Sequence, residues 1–132
     1  MAINVLIVDD SGVMRAMILK SLHMSGLPLG DVHQAANGQE GLDALNQHWT
    51  DLVIVDINMP VMNGEEMIDR MRQSNETKDI PIVVISTEGS KTRLEKLKQK
   101  GAAFIHKPFS PETIRDTIRN VMKLGGDDEG TN

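Results

Sequence analysis

The stretch Asn-Val-Leu-Ile-Val-Asp-Asp at residues 4–10 is an apolar, largely β-branched run that ends in two carboxylates. A short apolar run of this kind predicts a buried β-strand. Residues 13–23 follow with apolar side chains at helical spacing, among them Ile18 and Leu22. This part of the chain therefore predicts one strand–helix unit with acidic residues at the carboxyl end of its strand.

The same alternation recurs along the rest of the chain. Strands are predicted at residues 4–8, 32–36, 52–55, 80–85 and 104–105, and helices at residues 13–23, 39–47, 64–73, 91–100 and 111–124. Regular alternation with nearly continuous apolar strands is typical of a parallel sheet covered by helices on both faces. The predicted fold class is α/β, a five-stranded parallel sheet in the flavodoxin-like, doubly wound (βα)5 arrangement.

Length and composition limit the classes of protein that fit. The 132 residues suffice for one domain, expected at 1–124, and the glycine-rich, acidic residues 125–132 predict a disordered tail. The absence of cysteine excludes disulfides and thiolate metal sites, and fits a cytoplasmic protein. A net charge of −5 argues against nucleic-acid binding, and no apolar run reaches the roughly 20 residues that span a bilayer.

Polar side chains follow four of the predicted strands. They are Asp9 and Asp10, then Asp56 and Asn58, then Ser86, Thr87 and Glu88, and finally Lys107 and Pro108. Ligands of open parallel sheets bind at the carboxyl ends of the strands, so these groups should converge. Clustered carboxylates repel one another unless a cation such as Mg²⁺ compensates them. With a lysine and a hydroxyl beside them, they predict phosphoryl transfer onto a carboxylate.

Each of these residues also has a plainer interpretation. Asp9, Asp10 and Ser11 precede a helix and could cap its amino terminus. A single aspartate after a strand is commonly a turn residue, and Ser86 with Thr87 could lie in a loop or cap the next helix. The placement of all these groups at one end of one sheet favours a functional site.

The motifs together resemble the receiver domain of bacterial two-component response regulators, from residue 4 to about residue 124. They are Val-Asp-Asp-Ser at residues 8–11, Asp-Ile-Asn-Met-Pro at 56–60, Gly64, Ser-Thr-Glu at 86–88 and Lys-Pro-Phe at 107–109. Each motif alone is weak evidence, whereas the set in this order and spacing is specific.

The resemblance implies a role for each matching residue. Asp56 would accept the phosphoryl group, with Mg²⁺ held by the side chains of Asp10 and Asp56, by the backbone carbonyl of Asn58 and, mainly through a bound water, by Asp9. Lys107 would pair with Asp56, and the peptide bond before Pro108 would be cis. On phosphorylation, Ser86 would bond a phosphoryl oxygen and the aromatic Phe104 would turn inward. Asn58, Thr87 and Glu88 would tune the rates at which Asp56 gains and loses the phosphoryl group.

Two positions depart from the usual pattern of that family. The residue after Ser86 is usually very small, and here it is Thr87, which would slow the access of a donor or of water. The switch aromatic is Phe104 rather than tyrosine, and the chain has no tyrosine. A phenolic hydroxyl can therefore take no part in output.

The resemblance implies a signalling switch rather than a dedicated enzyme. A sensor histidine kinase or a histidine phosphotransfer protein would phosphorylate it, and a downstream protein would bind the face of the fourth helix, fifth strand and fifth helix. Among stand-alone receivers it most resembles the chemotaxis type. A phosphorelay intermediate and a receiver fragment of a larger regulator are the alternatives within the family.

Two readings from other classes fit the residues less well. A small aspartyl-phosphate phosphatase would place an acid two residues after its nucleophile, where this chain has Asn58, which cannot protonate a leaving group. A flavodoxin-like nucleotide binder would have a glycine-rich phosphate loop after the first strand, where this chain has Asp9 and Asp10.

Overall fold

The computed structural model describes residues 2–123, so the predicted tail at 125–132 lies outside the described residues. The strands are β1 (Ile3–Val8), β2 (Leu29–Ala35), β3 (Leu52–Val55), β4 (Ile82–Ser86) and β5 (Ala102–His106). The helices are α1 (Gly12–Met24), α2 (Gly38–Gln47), α3 (Gly64–Gln73), α4 (Lys91–Gln99) and α5 (Pro111–Met122). The five strand–helix units predicted from the sequence are confirmed.

The five strands form one parallel sheet in the order β2-β1-β3-β4-β5. Side chains that alternate along β1 enter different cores, since Leu6 packs with α3 and α4 while Ile7 packs with α1 and α5. Both faces of the sheet are thus covered by helices, as the continuous apolar strands predicted.

The starts of β2, β4 and β5 differ most from the prediction, by two or three residues. β4 begins at Ile82, because Pro81 has no N–H to donate and the Ile80 N–H already donates to the Thr77 carbonyl at 3.1 Å. β5 also includes Ala102 and Ala103, which have a low strand propensity but pair with β4. β2 begins at Leu29, where it pairs with Ile3 of β1.

The register of the central strands positions the polar strand ends. Val8 of β1 lies beside Val55 of β3, so Asp9 and Asp56 leave the sheet side by side. Ser86 of β4 pairs with His106 of β5, which places Lys107 one residue beyond the pair. No helix within residues 2–123 is long and apolar enough to cross a membrane.

Candidate functional site

Three carboxylates meet at the carboxyl end of the sheet. Asp9, Asp10 and Asp56 each place an oxygen within 4.8 Å of the other two. The backbone N–H of Asp56 donates to the Val8 carbonyl at 3.0 Å, which fixes β3 against β1 at this edge. This acidic pocket is the cluster that the sequence predicts from residues far apart in the chain.

Asp9 is the most deeply buried of the three, with 1% of its surface exposed. Its Oδ1 accepts the Ser11 N–H at 2.9 Å. Burial raises the pKa of the Asp9 carboxyl, and the Ser11 hydrogen bond and the Lys107 charge oppose that rise. The Ser11 hydroxyl accepts the Met14 N–H at the start of α1, so the plainer interpretation of Asp9, Asp10 and Ser11 as a helix cap is confirmed at Ser11.

Lys107 brings a positive charge into the acidic pocket. Its Nζ lies 3.2 Å from Asp56 Oδ2 and 3.4 Å from Asp9 Oδ2, and its side chain is 15% exposed. The Lys107 N–H donates to the Ser86 carbonyl at 2.9 Å, and the peptide bond to Pro108 is cis. One ammonium group among the three carboxylates leaves the pocket with an excess of negative charge.

Asp56 is held from two sides. Its Oδ1 accepts the Ile57 N–H at 2.7 Å, and its Oδ2 faces Lys107. Gly64 opens α3 against this segment, and a Cβ at Gly64 would collide with the backbone carbonyl of Asp56. A glycine at this position therefore lets the helix begin close to the Asp56 backbone.

The residues after β4 differ sharply in exposure. Ser86 is 1% exposed, and its Oγ accepts the Glu88 N–H at 3.3 Å. Thr87 is exposed and lines a cavity of about 350 Å³ with Lys107 and four neighbours, which are Met14, Met17, Pro108 and Phe109. Thr87 and Lys107 thus line the same cavity.

Phe104 lies apart from the carboxylates. It is half-buried on β5 and packs edge-to-face against His106, with 5.8 Å between the ring centroids. It lines a groove of about 500 Å³ formed by α4, β5 and α5, together with Leu94, Glu95, Lys98, Gly101, Ala102, Ala103 and Val121. The structure therefore joins Asp9, Asp10, Asp56 and Lys107 in one pocket and places Phe104 in a separate groove.

Two arginines near the acidic pocket make contacts that were not predicted from the sequence. Arg15 of α1 donates to the Asp9 carbonyl at 2.6 Å and to Gln34 Oε1 at 3.0 Å. Its position one turn after Ser11 could have suggested that contact. Arg93 of α4 contacts Glu65 and Glu88, and nothing in the sequence spacing indicates that α3 and α4 meet there.

Comparison with known proteins gives this geometry a family. A family model described as the response regulator receiver domain matches residues 5–119. The chain belongs to this family. Chemotaxis protein CheY1 of Helicobacter pylori is 37% identical over 121 residues, which cover 90% of this chain and 96% of that protein. A CheY homolog of Campylobacter jejuni is 35% identical, with coverage of 92% and 94%.

Other relatives extend this picture. The structure of the chemotaxis protein CheY4 of Vibrio cholerae superposes with a TM-score of 0.81 at 36% identity, covering 92% of this chain and 99% of that chain. The sensor histidine kinase CheAY of Helicobacter pylori is 34% identical over 126 residues, but these cover only 15% of that protein. The chain is thus a receiver domain of two-component signalling, with relatives both as separate proteins and inside a kinase.

The acidic pocket fits the metal that the family uses. Receiver domains bind Mg²⁺ at an acidic pocket, and Asp9, Asp10 and Asp56 supply carboxylate oxygens, the hard donors that this cation prefers. The excess negative charge beside Lys107 is what a divalent cation would compensate. Asn58, the further predicted ligand, is exposed two residues after Asp56.

Proposed function

We propose that the protein accepts a phosphoryl group on Asp56 and that this changes the conformation of a protein-binding face. The observation that carries this proposal is the position of Lys107 Nζ, 3.2 Å from Asp56 Oδ2. An ammonium beside a carboxylate oxygen is placed to stabilise negative charge on a phosphoryl group that joins that oxygen. In this proposal the chain works as a switch in the cytoplasm and not as a dedicated enzyme.

Exposure and contacts favour Asp56 over the other two carboxylates as the acceptor. Asp9 has a 2% exposed side chain, too buried for a donor to reach, and both its oxygens have partners. Asp10 is exposed, while the ion pairs of Lys107 are with Asp9 and Asp56. Asp56 has a 12% exposed side chain and contacts Lys107, so it combines access with a stabilising charge.

In the proposed reaction, an Asp56 oxygen attacks the phosphorus of a phosphohistidine or a small acyl phosphate. The new O–P bond forms as the bond from phosphorus to the leaving atom breaks, and that atom keeps the electron pair. Lys107 offsets the added charge on the phosphoryl oxygens. Asp9 and Asp10, with Asp56 and the Asn58 carbonyl, would hold Mg²⁺. The bound cation would lower the repulsion between the carboxylates and the incoming phosphoryl group.

A switch would follow from the new charge. A phosphoryl group adds about −1.5 to −2 charges and three acceptor oxygens. The buried hydroxyl of Ser86 would donate to one of them, and Phe104 would move inward as β4 and β5 adjust. Asn58, Thr87 and Glu88 would set how quickly donor and water reach the group. The exposure of Thr87, in a cavity that Lys107 also lines, supports this assignment for Thr87.

The proposed donor is a sensor histidine kinase or a histidine phosphotransfer protein, and the proposed output is a protein contact. The groove between α4, β5 and α5 is the best candidate for that contact, because Phe104 lines it. The similarity to chemotaxis proteins supports a chemotaxis output. The resemblance of the chain to the receiver part of a kinase keeps a phosphorelay role as the alternative.

Intact mass after incubation with acetyl phosphate, with and without Mg²⁺, tests the proposal. The expected result is a Mg²⁺-dependent gain of one phosphoryl group that is stable to acid and removed by hydroxylamine. Absence of label under conditions that label a chemotaxis relative would contradict it. Release of phosphate from small phosphate esters, with no label retained, would instead indicate a phosphatase.

A further inference from the structure

A second charged cluster lies beside the acidic pocket, between α3, α4 and the loop that joins β4 to α4. Arg93 of α4 is at its centre. Its Nε donates to Glu65 Oε1 of α3 at 3.0 Å, and its Nη2 donates to the same oxygen. The Nη1 of Arg93 donates to Glu88 Oε1 at 2.7 Å. These three residues are called the Arg93 clamp below.

The clamp is better sheltered than an ordinary surface ion pair. The side chains of Glu88, Glu65 and Arg93 are 15%, 23% and 33% exposed. A planar guanidinium holds two carboxylates in fixed directions, which a flexible ammonium does not. Hydrogen bonding to Glu65 and the two nearby carboxylates raise the pKa of Arg93. The clamp therefore fixes the relative positions of α3, α4 and the loop.

The loop end of the clamp leads to the acidic pocket. The second Glu88 oxygen accepts the Ser90 N–H at 3.0 Å, and Ser90 caps α4. The Glu88 N–H donates to Ser86 Oγ at 3.3 Å. Unbroken polar contacts thus connect Arg93 to the hydroxyl that the proposed function assigns to the phosphoryl group. A shift of Ser86 toward Asp56 would break its contact with the Glu88 N–H, and the Glu88 carboxylate is held at both oxygens.

We propose that Arg93 is a positioning residue that holds the loop between β4 and α4, and through Glu88 the Ser86 hydroxyl, in the resting arrangement. The clamp thereby slows phosphoryl transfer to Asp56. This inference rests on the proposed function of Asp56. It assigns a rate-setting role to a residue that contacts neither the acceptor nor the acidic pocket. Because the clamp stabilises only the resting arrangement, its loss favours the arrangement that binds the phosphoryl group.

The test compares Arg93→Ala and Glu65→Gln with Arg70→Ala. Arg70 pairs with Glu66 on the surface of α3 at 3.1 Å, with both side chains about half exposed, and has no contact with the loop, so it is the matched control. With acetyl phosphate and Mg²⁺, Arg93→Ala should be labelled about fivefold faster than wild type. Glu65→Gln should change the rate in the same direction and by less, and Arg70→Ala should leave it unchanged.

Amide hydrogen exchange of the unphosphorylated proteins provides a readout that needs no phosphoryl group. In Arg93→Ala, the amides of Glu88 and Ser90 should exchange faster than in wild type, while those of β3 keep their protection. The exchange rates of these amides in Arg93→Lys should lie between those in wild type and in Arg93→Ala, because a point charge cannot hold both carboxylates in the same geometry. Exchange at Glu88 and Ser90 that does not change in Arg93→Ala would overturn the inference.

The labelling and exchange experiments distinguish failure of this inference from failure of the proposed function. If wild type takes no label, the assignment of Asp56 fails, and the exchange experiment alone decides whether Arg93 holds the loop. If wild type is labelled and Arg93→Ala is labelled at the same rate, the inference fails while the proposed function stands. An unfolded Arg93→Ala protein would leave the decision to Glu65→Gln, which keeps α4 intact.

Discussion

The acidic pocket and the Arg93 clamp both lie near the carboxyl end of the sheet, and their charges are balanced differently. In the pocket, Lys107 faces two of the three clustered carboxylates, at 3.2 and 3.4 Å, and Asp9 is fully buried. In the clamp, one guanidinium satisfies two partly exposed carboxylates. Three carboxylates against one ammonium leave the pocket with two uncompensated negative charges, whereas two carboxylates against one guanidinium leave the clamp with one. The larger excess of carboxylates favours a cation-binding site in the pocket, whereas the hydrogen bonds that join α3, α4 and the loop favour a structural role for the clamp.

The largest expected effect comes from replacing Asp56, the acceptor in the proposed function. Asp56→Asn should abolish labelling by acetyl phosphate completely, because an amide cannot form the acyl phosphate. The fold should persist, since the amide oxygen can still accept the Ile57 N–H at the position where Asp56 Oδ1 does so at 2.7 Å. Intact mass measures the label, and circular dichroism checks the fold. A label that survives on another residue would contradict the assignment of Asp56.

The next largest effect is expected from removing the positive charge of Lys107 from the pocket. Lys107→Ala should slow labelling by about 100-fold, the usual cost of losing one preorganised group that stabilises transferred charge. Lys100→Ala is the control, because Lys100 forms a 2.7 Å ion pair with Asp69 on the surface, outside both the pocket and the clamp. Labelling time courses with acetyl phosphate measure both rates. Equal rates for the two variants would show that the Lys107 charge does not act on the transfer.

The sequence predicts the pocket well and the clamp not at all, and the reason is physical. Parallel strands in register bring their carboxyl ends together, so Asp9, Asp56 and Lys107 could be placed side by side from strand order alone. The Arg93 contacts depend on how α4 packs against α3, which period and propensity do not specify.

Strand ends were predicted less accurately than strand existence. Ala102 and Ala103 join β5 because β4 lies beside them, which overrides their low intrinsic preference for strands. Pro81 delays the start of β4, because proline has no N–H for the ladder. Local propensity thus fails where a neighbouring strand or a missing donor decides the pairing.

A smaller effect should sharpen the difference in charge balance. Asp9→Asn should raise the free energy of unfolding by about 1 kcal/mol at neutral pH without divalent cations. Burial raises the pKa of Asp9, so the folded state binds this proton more tightly than the unfolded state does. The cost of the ionised carboxyl is fully present above the folded pKa and is relieved as the pH falls through it. The gain should therefore shrink on acidification.

Urea unfolding in the presence of a chelator, at neutral and at acidic pH, measures this difference. Asp31→Asn is the control, because Asp31 is exposed on β2, away from the pocket. Added Mg²⁺ should stabilise wild type more than Asp9→Asn, since the variant has one carboxylate fewer in the pocket. A variant less stable than wild type at neutral pH would mean that the pocket has no excess charge to relieve.

A further effect, on stability alone, is expected in the loop from Asp56 to Gly64, which joins the pocket to the helix that carries Glu65. Val61 in this loop has a φ of 68° and an 82% exposed side chain. A β-branched residue in left-handed backbone costs about 1 kcal/mol or more, and the exposed valine gains no burial in return. Val61→Asn should therefore raise the free energy of unfolding by about 1 kcal/mol, because asparagine tolerates this conformation.

Val13→Asn separates strain from exposure in that experiment. Val13 is 73% exposed, but it lies in the first turn of α1 with helical backbone. Its replacement should leave stability within about 0.5 kcal/mol of wild type, as for most surface changes. If Val61→Asn stabilises the protein and also alters the labelling rate, the strained loop couples the pocket to α3. If only stability changes, the strain at Val61 is local and does not affect the pocket.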